Sequence, residues 1–214
     1  KYLDIICHIS NFCFKIKSCA NINNEQNPRM ISKKLKRKCL INPLHMKQKP
    51  IINKDTYVHP SSSIIGNVTI GKNCSVFPQA VIRGDENKIS IGNGSNIQDC
   101  CVIHVDEKNG VTIADNVSLG HAAMIHGATI EEDCIIGIHA TILSGAVIKK
   151  GSIIGANALV TQDTVIPENS LVIGVPGKIV KQDERYQKQG RKNAEIYQHL
   201  AQEYIDGKYE EYNK

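Results

Sequence analysis

Tryptophan is absent from this 214-residue chain, and aromatic residues are only 5% of it. A core built around large rings is therefore excluded. No run of about 18 apolar residues occurs, so no membrane-spanning helix is expected. None of the eight cysteines forms a Cys-x-x-Cys pair, which argues against a cysteine zinc site and for a reducing compartment. The chain has no initiator Met, and Met30 or Met46 would each serve as a native start.

The charge is uneven. Residues 1–50 hold eleven Lys/Arg against Asp4 and Glu25, a net of +9, so the remaining residues carry −4 of the chain's +5. The basic run Lys33-Lys34-Leu35-Lys36-Arg37-Lys38 has the character of a nucleic-acid or anionic-membrane contact. The plainer readings are a solvated tail, a targeting segment or sequence upstream of the true start. Residues 1–46 are taken as a basic leader, disordered or not native, and no nucleic-acid or membrane partner is expected. The expected location is cytoplasmic, with an organelle-targeting leader as the alternative.

What the chain does have is a beat of six. Ile130, Ile136, Ile142, Ile148, Ile154, Val160 and Ile166 recur without a break. Six matches neither the 3.6 residues of a helix turn nor the alternation of a hairpin sheet. It is the hexapeptide repeat of a parallel β-helix, in which three rungs close one triangular coil. Backward the beat continues with one slip through Ile125, Leu119 and Ile113, then Ile103, Ile97 and Ile91, then Ile82, Val76, Ile70 and Ile64. Two interruptions, Val105–Gly110 and the stretch around Asp85-Glu86-Asn87, are expected to be loops extruded at corners. The coil is assigned to 47–182. Beyond it, Ala194, Tyr197, Leu200, Ala201, Tyr204 and Ile205 fall at helical spacing, so 183–214 is assigned to an amphipathic helix covering one flank of the prism.

The beat also places the polar residues. Ile82, Ile103 and Ile125 stand three rungs apart, so Arg83, His104 and His126, which follow them, form one column along an edge. His121 emerges near a different edge. One prism does not easily bring three imidazoles within about 2 Å of one ion. Three prisms packed side by side would, with His104 and His126 from one chain meeting His121 of the next. Three imidazoles leave a fourth position on zinc for water, the open arrangement of a catalytic site, and water held there is a nucleophile near neutral pH. Around them, Arg83 and Asp85 are spaced to pair, within the site or as a structural bridge at the subunit junction. Gln98 shares a face with His121, while Asn96 and Asp99 flank it. His8, His45, His59, His139 and His199 are expected to be structural or simply exposed, and Cys74, Cys100, Cys101 and Cys134 to be small buried residues.

The set Arg83-Gly84-Asp85, Asn96-Ile97-Gln98-Asp99, His104, Gly120-His121 and His126-Gly127 resembles the gamma-class carbonic anhydrase family over roughly residues 50–182. It is especially similar to the shorter bacterial members of phenylacetate and carnitine pathways. The resemblance implies a left-handed coil, a homotrimer, and zinc, or iron or cobalt, shared between chains. It implies hydration of CO2 to bicarbonate through a metal-bound hydroxide, with Gln98, Arg83, Asp85 and Asn96 as catalytic residues. Arg83, Asp85 and Asp99 would lie at the interface. Active relatives carry a long acidic loop after the first histidine. Here that loop is only Val105–Gly110, which leaves Glu86 and Glu107 as candidate proton shuttles. Two other functions fit the same repeat. One is a coenzyme A-dependent acyl- or acetyltransferase, which shares the ending Gly174-Val175-Pro176-Gly177. The other is a non-catalytic, metal-bearing trimeric scaffold.

Overall fold

The computed structural model describes residues 49–212. The expected leader, with His8, His45 and Cys7, Cys13, Cys19 and Cys39, lies outside them. The described chain winds into a parallel β-coil of about seven turns and ends in one helix, Arg185–Ile205. Most strands are two or three residues long, and within the coil they pair in parallel with the strands one coil above and below, whereas Lys178–Gln182 pairs antiparallel with Ser170–Ile173.

Three faces form the prism. One carries the pairs Ile82↔Ile103 and Ile125↔Ile142, the second Ile91↔Ile113 and Ile130↔Ile148, and the third Ile97↔Leu119 and Ile136↔Ile154. All these side chains point inward. Of the twelve largest fully buried side chains, eleven are isoleucine and the other is Leu119. A β-branched aliphatic suits a short strand and a narrow lumen, and each one buried is worth about 1.5–3 kcal/mol.

The corners are built by residues in the left-handed backbone region. Asn116, Ala122, Asp133, His139, Asn157, Asp163 and Asn169 all have φ between +55° and +59°. That conformation disfavours most side chains, and Asn and Asp tolerate it best. Ala122 and His139 occupy it because the ladder on either side dictates the turn.

The slip in the beat is a real shortening. Leu119 pairs with Ile136, seventeen residues on, whereas Ile136 pairs with Ile154, eighteen on. The missing residue falls in the rung between Ile125 and Ile130, at the turn formed by His126 and Gly127.

Three expectations need correcting. Asp85-Glu86-Asn87 is no extruded loop. The strand Val81–Ile91 runs through it and around the corner, so it belongs to two faces at once. The extra residues are absorbed as a register shift opposite Gly66 and Val68. Cys74, Cys101 and Cys134 are buried, and burial pushes their thiols up to about 11, 12 and 12. Cys100 is exposed instead, because it occupies a corner with φ of +59°. Ile205 is also half exposed, outside the packed stripe of its helix.

The helix lies along the third face. The chain's scarce aromatics gather there, with Tyr204 against Tyr57 and Phe77, and Phe77 against Tyr197. Asp133, fully buried, accepts hydrogen bonds from Gln187, Arg191 and Asn116 and so ties the helix to the coil. Burial opposes its charge, but these three donors outweigh that cost and hold its carboxyl below the ordinary value. Among the described residues no helix is long and apolar enough to cross a membrane.

Gly190 sets how closely the helix approaches. A Cβ there would stand 1.9 Å from the Asp133 carbonyl oxygen. Replacement of a helical Gly by Ala normally gains about 1 kcal/mol. Gly190→Ala is expected to do the opposite and lower the thermal midpoint by several degrees. A raised midpoint would show that the helix is not seated on Asp133.

Candidate metal centre

The column forms as the rung count requires. Arg83 pairs in register with His104, and His104 with His126. His121 belongs elsewhere, at the corner leading into that face, while His126 stands at the corner leaving it. Four residues lie between them, and the chain turns through Ala122, with φ of +57°, before the strand Met124–His126 begins. Within the described residues of this one chain, no three His, Cys, Asp or Glu side chains converge on a point.

Each of the three imidazoles has one nitrogen held by a partner. His104 Nε2 is 3.1 Å from Asp85 Oδ1, and His121 Nδ1 is 2.8 Å from Asp99 Oδ2. His126 Nδ1 is 2.8 Å from Ser144 Oγ, and that hydroxyl donates to Asp106 Oδ2 at 2.7 Å. An ionised carboxylate can only accept. The proton therefore sits on Nε2 of His104 and on Nδ1 of His121. Ser144 donates to a carboxylate, so it accepts from His126, whose proton is likewise on Nδ1. This leaves bare lone pairs on His104 Nδ1, His126 Nε2 and His121 Nε2.

Two of these lone pairs face each other, with His104 Nδ1 and His126 Nε2 3.2 Å apart. With both protons committed elsewhere, this contact is repulsive unless a cation or an extra proton lies between the nitrogens. Burial first, and the neighbouring His104 second, hold the His126 pKa below its ordinary 6.5. An extra proton is thereby disfavoured near neutral pH. A tetrahedral ion with bonds of about 2.05 Å would set two such nitrogens about 3.3 Å apart. The donor set fits zinc. Orienting partners of this kind are the usual outer shell of a metal-ligating histidine.

Arg83 pairs with Asp85 within the chain. Partial burial works against the Asp85 charge, but hydrogen bonds from Arg83 and His104 outweigh it and lower its pKa. Gln98 stands on the His121 side, yet its amide nitrogen donates to Asn96 Oδ1 at 3.0 Å. Asn96 in turn donates to Ser118 Oγ at 2.8 Å, so both amides form a buried ladder on the helix-covered face. Glu86 and Glu107 are exposed. The charge of Glu86 is felt at His126, whereas Glu107 lies at the loop tip.

Among the described residues, the other histidines stay apart from the column. His59 is bonded to Ser61, and His199 is exposed beside Glu203. His139 occupies an exposed corner, its N–H donating to the His121 carbonyl. Asp106 and Ser144 escaped the sequence reading. Ile125 pairs with Ile142, so a count of one coil from His126 lands on Leu143, and Ser144 is the residue after it.

Fold and repeat together define a hexapeptide-repeat β-helix protein, and the family described as "Bacterial transferase hexapeptide (six repeats)" matches residues 127–162. A Methanocaldococcus jannaschii protein named "Probable carbonic anhydrase" is 52% identical over 153 residues, covering 71% of this chain and 96% of that protein. "Gamma carbonic anhydrase 2, mitochondrial" of Arabidopsis thaliana is 46% identical over 95 residues, 42% of this chain but only 34% of the plant protein. Among solved structures, a hexapeptide transferase family protein from Anaplasma phagocytophilum matches with a TM-score of 0.70 at 31% identity. The match covers 72% of this chain and 92% of that one. The chain belongs to the gamma-class carbonic anhydrase family, and its coil is the left-handed parallel β-helix.

The Asp106 carboxyl is lowered from 3.8 to about 2. Desolvation opposes the shift, and bonds from Ser144, Asn109 and Lys108 overcome it. A carboxyl depressed on folding adds stability that is present above its unfolded value and lost as pH falls through the folded one. The stability difference between wild type and Asp106→Asn should therefore be constant above about pH 5 and shrink between pH 4 and 2. Urea titrations across that range check this. A gap that persists unchanged at pH 2 would refute the assignment.

Proposed function

We propose that three chains assemble side by side and hold a divalent ion at each junction, where CO2 is hydrated to bicarbonate. His104 and His126 of one protomer and His121 of its neighbour are the ligands. Zinc is the ion of choice, with iron(II) or cobalt(II) as alternatives. The observation that carries this reading is the 3.2 Å approach of His104 Nδ1 and His126 Nε2, while the other nitrogen of each ring is held by Asp85 or Ser144. Two things support it: relatives named as carbonic anhydrases, and the apolar column Val81, Val102 and Met124 beside the histidines. Met124 is 42% exposed in the single chain, and a neighbouring prism would cover it.

The bound ion supplies Lewis acidity that makes water a nucleophile near neutral pH. The chain's own residues do the rest. Asp85, Asp99 and Ser144 fix the three rings. Arg83 balances the charge of Asp85, and with Asp99 it lies at the junction between chains. Asn96 and Gln98 brace the corner that presents His121, and Gln98 is the amide placed to orient a substrate oxygen from that side. Glu86 takes protons from the site to solvent, with Glu107 at the loop tip as the second outlet. The protein works in the cytoplasm or, as its mitochondrial plant relative suggests, behind an organelle leader.

Purified protein is expected to hold about one zinc per chain and to lose it when His104, His121 or His126 becomes Ala. CO2 hydration, followed by stopped-flow pH indicator, should fall to background in each variant. Mixing His121→Ala chains with His126→Ala chains should restore part of the metal and activity, because each mixed trimer contains one intact junction of three. No restoration would mean the ligands do not come from two chains. Coenzyme A binding that survives chelation would favour the acyltransferase reading, which the hexapeptide transferase likeness keeps open. Metal binding without hydration would favour a scaffold.

A further inference from the structure

We propose that the short loop 105–110 is a positioning element, in which Asp106, acting through Ser144, aims the His126 ring at the point it shares with His104. The inference rests on the metal-centre reading above and adds the residues that set the geometry of one ligand.

Ser144 sits one coil above His126 and is 8% exposed. Its hydroxyl proton goes to Asp106 Oδ2, so its oxygen is left to accept from His126 Nδ1. The other carboxylate oxygen of Asp106 accepts the backbone N–H groups of Lys108 and Asn109, at 2.9 and 2.8 Å, and the Asn109 side chain at 3.1 Å. One carboxylate thus closes the loop and orients the ring. Asn87 Nδ2 donates to the Asp106 carbonyl, which ties the loop to the strand carrying Arg83 and Asp85.

Gly127 leaves the room for this relay. A Cβ there would lie 2.8 Å from Asn109 Cβ, 2.9 Å from Ser144 Oγ and 3.2 Å from Asp106 Oδ2. Its φ of +57° favours glycine as well. The glycine after the histidine therefore makes space for the groups that hold that histidine.

The order of the three groups matters. In a nucleophilic serine triad the imidazole stands between hydroxyl and carboxylate. Here the hydroxyl stands in the middle, buried, with its proton directed at Asp106. Ser144 is a positioning residue and not a nucleophile.

Loss of an outer partner of this type typically costs 10- to 100-fold in metal affinity. Ser144→Ala is expected to weaken zinc binding by about that factor in competition with a chromophoric chelator. Ser144→Thr, which keeps the hydroxyl, should recover most of the loss. The imidazole 15N shifts of the metal-free, histidine-labelled full chain give a second readout. They should report Nδ1–H for His126 in wild type and a mixture with Nε2–H in Ser144→Ala. Unchanged affinity in Ser144→Ala, an equal loss in Ser144→Thr, or Nε2–H in wild type would each overturn the relay. A wild type that binds no zinc yet shows the tautomer change would leave the relay standing and bring down the metal reading.

Discussion

The hydrogen-bond ladder between successive coils is the constraint on which the rest depends. It fixes which residue lies above which, and the inward isoleucine of every rung locks that register. A slip of one residue would turn a buried isoleucine outward in each strand it touched. Because the register is rigid, polar side chains just past an inward residue are stacked whatever their chemistry. Arg83, His104 and His126 are stacked in this way. Their proximity is a consequence of the core.

Stacking imidazoles has an electrostatic cost that the fold does not relieve by itself. Asp85 and Ser144 take the protons of His104 and His126 away from the shared space, leaving two nitrogens opposed. In a chain selected for stability alone, a hydrogen bond between the rings would be the better solution. The arrangement becomes favourable once a cation lies between the rings. This is why we propose a metal centre here and not a histidine pair. In that proposal His121, alone at another corner with Asp99, is the ligand offered to a neighbour.

Much of this was legible in the residues before any coordinates. The hexapeptide beat carries the fold, and three-rung counting places Arg83, His104 and His126 in one column and His121 outside it. What was missed follows from where the beat is silent. Strand Val81–Ile91 absorbs its extra residues as a register shift, and periodicity cannot tell that from an extruded loop. Cys100 occupies a corner whose backbone conformation is imposed by the ladder, so its small apolar character misleads about burial. Asp133 resembles any corner Asp in sequence, and only the helix folded over it makes it a buried anchor. Ser144 lies one residue past the count because the coil is shortened there, and a serine on a turn carries no chemical signal until the histidine beneath it is identified.

Diffraction at the zinc absorption edge, from crystals of the zinc-loaded protein, tests the central claim most directly. An anomalous peak within bonding distance of His104 Nδ1 and His126 Nε2 of one chain and His121 Nε2 of another is the expected result. A peak bound by one chain alone, or no peak in the space between His104 and His126, would contradict it.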